Sequence, residues 1–393
     1  MFDMINGASM EFYMETARVR VQRQSERLTG ARFAYDLRPD GAAVITLYAG
    51  QEQTVAVPAE LDGHPVAGIG PWAFACCDGL RRVTLPEGMD VIGEGAFACC
   101  GQLESIALPG TLRHIGVHAF AECGALRALY VPEGVTEIPE GLCRGCGALA
   151  EITLPEGVTA IGARAFSECG ALAEVTLPAG TTSLGEMAFF ACTSLHRAAL
   201  PANLTGIGAS AFAFCRALED IDIPEGTVRM GVHVFFGCTG LRRVSLPASL
   251  IQLQETPFGG CCALEEITVA PGNPLLEVRS GALMNRRTGT LLSFLCGRED
   301  AFCIVPEETR AISAHAFGGC RSLRSVMLPQ GLERIGSAAF AGCESLLRVG
   351  VPGSVSTIGP DAFRACGSVT LEAPAGSHAS YYAQETGVSL RER

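Results

Sequence analysis

The chain of 393 residues is poor in charge, in long apolar runs and in aromatic side chains other than phenylalanine. No apolar run approaches the roughly 18 residues that a membrane-spanning helix needs, so we expect no membrane insertion. Only 18% of the residues are charged, and the chain has 29 basic and 41 acidic side chains. The resulting net charge of −12 argues against a nucleic-acid partner, because phosphate binding needs clustered basic side chains.

Two further absences concern export and catalysis. The N-terminus has no basic start followed by an apolar stretch of signal-peptide length, so the expected location is the cytoplasm. The sequence contains no nucleophile-elbow serine, phosphate-binding loop, paired-histidine zinc motif or dinucleotide-binding glycine motif in a suitable setting. We therefore expect a protein that is not an enzyme and that carries no cofactor and no metal.

What the sequence does contain is a period of 23 residues, marked by phenylalanine. We call the marked position the Phe slot, and Cys143 fills it once, between Phe120 and Phe166. The phenylalanines of the slot are Phe74, Phe97, Phe120, Phe166, Phe189, Phe212, Phe235, Phe258, Phe317, Phe340 and Phe363. Such regular spacing indicates one supersecondary unit that is copied along the chain.

Other positions keep the same frame. An aliphatic residue or Met stands five positions before the slot, and an apolar pair such as Val83 and Leu85 follows it, usually ended by Pro. The Leu-x-x-Val-x-Leu segment predicts a short strand, and the segment around the slot predicts a short helical or 3₁₀ turn. One unit cannot enclose its own apolar side chains, so the units must stack into a solenoid.

The pattern I-G-x-x-A-F-x-x-C-x-x-L-x-x-V-x-L-P resembles the BspA-type leucine-rich repeat, over about residues 55–370. The resemblance implies an α/β repeat solenoid with short parallel strands. It also implies a bacterial, often surface-exposed or secreted protein that takes part in adhesion and protein binding. On this basis the expected function is a non-catalytic scaffold whose concave strand face meets a protein or cell-surface ligand. The missing export signal disagrees with the family's usual location.

The frame divides the chain into six segments. Residues 1–30 fit no repeat, and either a helix or disorder is compatible with them. The remaining segments are an N-terminal cap with a hairpin turn at Asp40-Gly41 (31–68), repeats (69–270), an inserted β-hairpin (271–305), repeats (306–370) and a C-terminal cap with a helix from Ser377 to a stop at Gly387 (371–393). The hairpin within 273–297 turns at 285–289, and it is either a tolerated insertion or a binding protrusion.

Twelve of the 18 cysteines stand three positions after the Phe slot, and we call them the cysteine column. Buried Cys packs as a small apolar residue with a weak S–H donor, so we expect the column to be inert packing. Its members are Cys77, Cys100, Cys123, Cys146, Cys169, Cys192, Cys215, Cys238, Cys261, Cys320, Cys343 and Cys366. Cys76 and Cys99 share a different position in adjacent repeats, which leaves a redox pair or metal site there as an alternative function.

The candidate binding residues lie on the predicted concave face, at the outward positions of the strands. Hot spots of protein interfaces favour Tyr, Trp and Arg, and an acidic stripe accompanies them here. The candidates are Tyr130, Glu151, Glu174, Arg197, Asp220, Asp222 and Arg243. A merely solvated face, in a structural array with no dedicated partner, remains the other interpretation.

Overall fold

The computed structural model describes residues 32–393, which form two compact units that divide between Leu195 and His196. The segment 1–30, for which the sequence left a helix or disorder open, lies outside the described residues. Each unit is a stack of coils, and each coil pairs with the next at a separation of 23 residues, as Val83 does with Ile106. The solenoid with a 23-residue period is therefore confirmed.

The first unit begins with the predicted hairpin. Strand β1 (Phe33–Leu37) pairs antiparallel with β2 (Ala43–Tyr48), and Gly41 in the turn has a φ of 85°, which favours glycine. Strand β2 then pairs in parallel with β5 (His64–Ile69), against which β4 (Glu60–Leu61) lies antiparallel. The hairpin thus leads directly into the parallel stack.

Two sets of short parallel strands follow in the first unit. The three-residue strands are β3 (Thr54–Ala56), β6 (Arg82–Thr84), β8 (Ser105–Ala107), β10 (Ala128–Tyr130), β12 (Glu151–Thr153) and β14 (Glu174–Thr176). The two-residue strands are β7 (Val91–Ile92), β9 (His114–Ile115), β11 (Glu137–Ile138), β13 (Ala160–Ile161) and β15 (Ser183–Leu184). Hydrogen-bonded neighbours run in the orders β3-β6-β8, β10-β12, β5-β7-β9 and β11-β13-β15.

The second unit repeats this plan. Its longer strands are β16 (Arg197–Ala199), β18 (Asp220–Asp222), β20 (Arg243–Leu246), β22 (Glu266–Val269), β26 (Phe302–Ile304), β28 (Ser325–Met327), β30 (Arg348–Gly350), β32 (Thr370–Ala373) and β33 (Ser389–Glu392). Its two-residue strands are β17 (Gly206–Ile207), β19 (Arg229–Met230), β21 (Gln252–Leu253), β27 (Ala311–Ile312), β29 (Arg334–Ile335) and β31 (Thr357–Ile358).

The C-terminal helix α1 (His378–Thr386) begins and ends where the sequence predicts. The Ser377 hydroxyl accepts from the Ser380 amide, and Gly387, with a φ of 76°, donates its N–H to the Ala383 carbonyl. These are an N-cap and a left-handed C-cap. Strand β33 follows the helix and pairs in parallel with β32.

The segment around each Phe slot is a stacked turn, so the predicted helical or 3₁₀ turns are wrong. Residues two before and two after the slot adopt a left-handed φ, as in Trp72 (60°) and Cys76 (57°). A left-handed residue cannot continue a right-handed helix. The amides of Trp72, Phe74 and Cys76 instead each donate a hydrogen bond of 2.8 Å to a carbonyl in the next coil.

The phenylalanines form a buried aromatic column inside each unit. Phe74 stacks on Phe97 with ring centroids 4.9 Å apart, and Phe340 stacks on Phe363 at 5.2 Å. Tyr48 of the N-terminal hairpin extends the first column, 4.8 Å from Phe74. Stacked pairs of this kind contribute about 0.5–1.5 kcal/mol beyond their buried area.

The segment 271–305 contains more than an inserted hairpin. Strands β23 (Leu276–Arg279), β24 (Ala282–Asn285) and β25 (Thr290–Phe294) are antiparallel, and the predicted turn joins β24 to β25. However, β25 also pairs in parallel with β27, and Phe294 stacks 4.9 Å from Phe317. Residues from β25 onwards therefore build a coil of the stack.

The aromatic column predicts a large stability difference between buried and exposed phenylalanines. Phe340 is fully buried, and Phe340→Ala should lower the free energy of unfolding by about 3–5 kcal/mol. The matched control Phe302→Ala removes a ring that is 50% exposed and should cost less than about 1 kcal/mol. Urea unfolding followed by circular dichroism measures both changes, and equal losses would contradict the column's role.

Candidate functional site: the strand face

The strand face consists of the first and third side chains of the three-residue strands, which point outward. Strand β6 is an example, because Arg82 and Thr84 are exposed while Val83 between them is 3% exposed. Side chains of a strand alternate between its two faces, so a middle residue that is packed in the core orients both of its neighbours outward. The strand face is consequently a regular, rigid array of outward side chains.

In the first unit this face carries Tyr130, Glu151 and Glu174. Tyr130 is 56% exposed on β10, and a hydrogen bond from its hydroxyl to Glu151 on β12 raises the pKa of the tyrosine. Glu174 is the exposed first residue of β14. The structure therefore brings two of the predicted residues into contact.

In the second unit the predicted residues form ion pairs and hydrogen bonds along the strands. Arg243 and Asp220 lie one coil apart, with 2.7 Å between Nη2 and Oδ2. Asp222 accepts a hydrogen bond of 2.6 Å from Ser245, a residue that the sequence argument did not select. Arg197 lines a shallow pocket of about 580 Å³ together with both aspartates. Arg243 thus compensates part of the predicted acidic stripe.

Sequence reasoning also missed an apolar group on the strand face of the second unit. Phe302, Ile304 and Met327 are 50%, 57% and 53% exposed, on β26 and β28. The missed signal is Phe294, which precedes Phe317 by one period and places Cys303 at the buried middle position of a strand. The residues on either side of Cys303 then belong to the strand face.

The cysteine column packs as the repeat predicts. Cys123 and Cys238 are fully buried, and their S–H groups donate to the carbonyls of Phe97 and Phe212, at 3.2 and 3.0 Å. The acceptor lies 26 positions earlier in each case, so every bond ties one coil to the preceding one. Burial accordingly raises the pKa of these thiols, to about 12 for Cys192 and for Cys238.

One member of the column departs from the inert role predicted for it. Cys320 forms a disulfide with Cys296, and the two Cα atoms are 4.5 Å apart. Because Cys296 belongs to the coil that the sequence argument overlooked, its position beside Cys320 was not predicted. Cys76 and Cys99 remain thiols, and residues 32–393 contain no group of three or more His, Cys, Asp or Glu side chains placed to hold a metal ion.

Stacked coils of 23 residues with a leucine and phenylalanine core define a leucine-rich-repeat protein. The chain belongs to the BspA-type leucine-rich-repeat family, whose model matches six copies over residues 62–173, 159–286 and 301–375. This family was predicted from the repeat pattern and is confirmed. No protein of curated function matches the chain.

Two crystal structures illustrate the likeness. A leucine-rich repeat protein from Bacteroides ovatus has 25% sequence identity and a TM-score of 0.63, over 93% of this chain and 99% of that one. A leucine-rich cell surface protein from Faecalibacterium prausnitzii has 25% identity and a TM-score of 0.58, over 93% and 94% of the two chains. Within residues 32–393 of the present chain, no helix is long and apolar enough to cross a membrane.

Burial of the column predicts selective alkylation. Iodoacetamide at mildly alkaline pH should modify the half-buried Cys77 and Cys262 in the folded protein but leave Cys192 and Cys238 unmodified. The thiolate is the reactive form, and burial both raises the pKa and blocks access. Peptide mass spectrometry measures the modification at each site. Urea-unfolded protein is the control, and rapid modification of Cys192 in the folded state would contradict the packing.

The raised thiol pKa values predict a loss of stability in alkali. An unfolded thiol ionises near its ordinary value of 9.0, whereas the folded thiols of Cys192 and Cys238 hold their protons to about 12. This contribution is therefore complete below pH 9.0 and is lost as the pH rises to about 12. The chain contains no lysine, so no ammonium side chain titrates in this window.

Thermal unfolding against pH tests this loss. The melting temperature should fall steeply above pH 9.0, and the double variant Cys192→Ala and Cys238→Ala should show a shallower fall. An unchanged slope in the double variant would contradict the assignment to these two thiols.

Proposed function

We propose that the chain is a non-catalytic protein-binding scaffold that presents its strand face to a protein or cell-surface partner. The family supports a role in protein interaction, and the geometry of the face suits it. Because buried middle residues fix the strands, the outward side chains lose little further conformational freedom when a partner binds. This preorganisation favours affinity.

The observation that carries the proposal is the exposed, oriented ring of Tyr130. A tyrosine with 56% of its surface exposed offers a large apolar area, and its bond to Glu151 limits the rotation of the ring. Tyrosines of this kind are enriched among the residues that dominate interface energies. We therefore assign the binding site in the first unit to Tyr130, Glu151 and Glu174.

A separate, polar candidate site lies in the second unit. Arg197, Asp220, Asp222 and Arg243 present both signs of charge on three successive longer strands. Exposed ion pairs contribute little to folding, about 0–1 kcal/mol, so their charges remain available to a polar partner. The partner surface that fits here alternates acidic and basic groups.

The hairpin within 273–297 is the third proposed contact, and the structure limits how it can be tested. Removing the whole segment would delete β25, which pairs in parallel with β27. The exposed tip residue Arg287 lies in the turn between β24 and β25. The charge reversal Arg287→Glu therefore tests the tip without removing a coil.

Affinity capture with the immobilised full chain tests the proposed function. Tyr130→Ala and Arg197→Glu should each reduce capture of a specific partner by about tenfold or more. Tyr381→Ala is the matched control, because Tyr381 is a 58% exposed tyrosine on α1, outside the strand face. Capture that is equal for all variants, Arg287→Glu included, would contradict the site and favour a structural array without a dedicated partner.

The cytoplasmic location stays a prediction.

A further inference from the structure

The longer strands of the second unit from β18 onwards fall into two sheets, and the break lies between β22 and β26. Strands β18, β20 and β22 form one sheet, and β26, β28, β30, β32 and β33 form the other. The Gly297 amide donates to the Leu264 carbonyl at 2.8 Å, just before both strands begin. Beyond that bond no backbone ladder joins β22 to β26 in the described part of the chain. Strand β26 is consequently an edge strand.

The backbone groups of β26 alternate between its paired side and its open side. At the paired side, the Val305 amide donates to the Met327 carbonyl of β28 at 3.0 Å, directly after the strand. Successive residues of a parallel strand form hydrogen bonds on opposite sides, so the N–H and C=O groups of Phe302 and Ile304 are directed to the open side. Among residues 32–393 no hydrogen bond reaches these groups.

The side chains of this edge are apolar where other strands carry polar ones. Phe302 and Ile304 are 50% and 57% exposed, and Met327, the register neighbour of Ile304, is 53% exposed. Soluble proteins usually blunt an edge strand with charged side chains or proline. An edge that combines open backbone groups with clustered apolar side chains is instead typical of a binding site.

Uncompensated carboxylates surround this edge. Glu299 lies three residues before β26, and Glu307 lies three residues after it. Glu266 is the first residue of β22. All three side chains are exposed. Within residues 32–393 none of the three has an ion-pair partner. Of the exposed bases nearby, Arg298 pairs with Asp300, and Arg324 and Arg348 lie towards β28 and β30, on the paired side of β26. The open side therefore favours a partner with basic ends.

From these observations we propose that the open edge of β26 binds an extended peptide as an added β-strand. The peptide has alternating apolar side chains at its centre and basic residues at its ends. Its backbone pairs with Phe302 and Ile304, its apolar side chains pack beside those two side chains, and its basic ends meet Glu299 and Glu307. The inference rests on the proposed binding function and names the kind of partner that this part of the strand face takes.

Strand addition explains why open backbone groups and exposed apolar side chains occur together on β26. Main-chain hydrogen bonds to a sheet edge supply affinity that is independent of peptide sequence, and alternate side chains supply specificity. The edge is short, at three residues, and Pro306 lies two residues after its end, which limits edge-to-edge association of whole sheets. A short edge of this kind suits a single peptide strand better than a second complete sheet.

Fluorescence anisotropy with a labelled peptide, Lys-Lys-Val-Thr-Val-Thr-Val-Lys-Lys, tests the proposal on the full chain. We expect a Kd in the micromolar range for the wild type. The double variant Phe302→Thr and Ile304→Thr should weaken binding by about tenfold or more. Threonine suits these positions, because it is the exposed third residue of β6, β12 and β14. Tyr381→Thr removes a 58% exposed ring on α1, outside the strand face, and is the control that should leave the affinity unchanged.

Three altered peptides separate the contributions of backbone pairing and charge. Methylating the alternate amide nitrogens that face the edge removes the backbone donors and should abolish binding, whereas methylating the other amides should not. Replacing the terminal lysines by glutamates should weaken binding by about tenfold, because the rim is acidic. Equal binding of both methylated peptides would overturn the strand-addition geometry.

Sedimentation of the full chain without peptide tests the competing occupant. We expect a monomer over the concentration range of the anisotropy experiment. A dimer that the double variant on β26 abolishes would assign the edge to a second copy of the chain and overturn the proposal. If the wild-type chain did not bind the peptide but still captured a partner in a way that Tyr130→Ala reduces, this inference would be overturned. The proposed binding function would then remain intact.

Discussion

The stacking of one turn upon the next is the constraint on which the rest of the structure depends. Each turn around a Phe slot holds left-handed residues on both sides of the slot, and its alternate amides donate to the next turn. That alignment stacks neighbouring rings such as Phe97 and Phe120, and it lets column thiols such as Cys123 donate to the carbonyl of an earlier slot. A backbone that closed into helix would satisfy its own amides and lose this ladder.

The same constraint explains what remains available for binding. Core packing occupies the Phe slot, most of the cysteine column and the buried middle residues of the strands, so binding depends mainly on the outward strand positions. Tyr130 with Glu151 and the Arg243–Asp220 pair show two ways in which neighbouring coils combine such positions. Where the ladder is interrupted, at β26, backbone groups join the side chains as possible contacts.

The repeat frame predicted most of the fold because its period is visible in single residues. The hairpin turn at Asp40-Gly41 and the helix limits at Ser377 and Gly387 followed from local conformational rules. The conformation of the turns did not, because a left-handed φ at Trp72 or Cys76 is imposed by contacts between coils and leaves no mark in local propensity. Phe294 was missed because its coil lacks the usual Leu and Gly positions. The exposed edge of β26 and the Cys296–Cys320 disulfide depend on that coil and were missed with it.

Hydrogen exchange of individual amides, followed by NMR, tests the stacked-turn ladder most directly. The amides of Phe74, Phe97 and Phe120 donate to carbonyls of the following coil at 2.8, 2.8 and 2.9 Å. The account predicts that they exchange only when the whole unit unfolds, whereas those of Gly101 and Gly124, which donate no hydrogen bond within the described residues, exchange within the dead time. Exchange of the phenylalanine amides as fast as that of Gly101 and Gly124 would contradict the ladder.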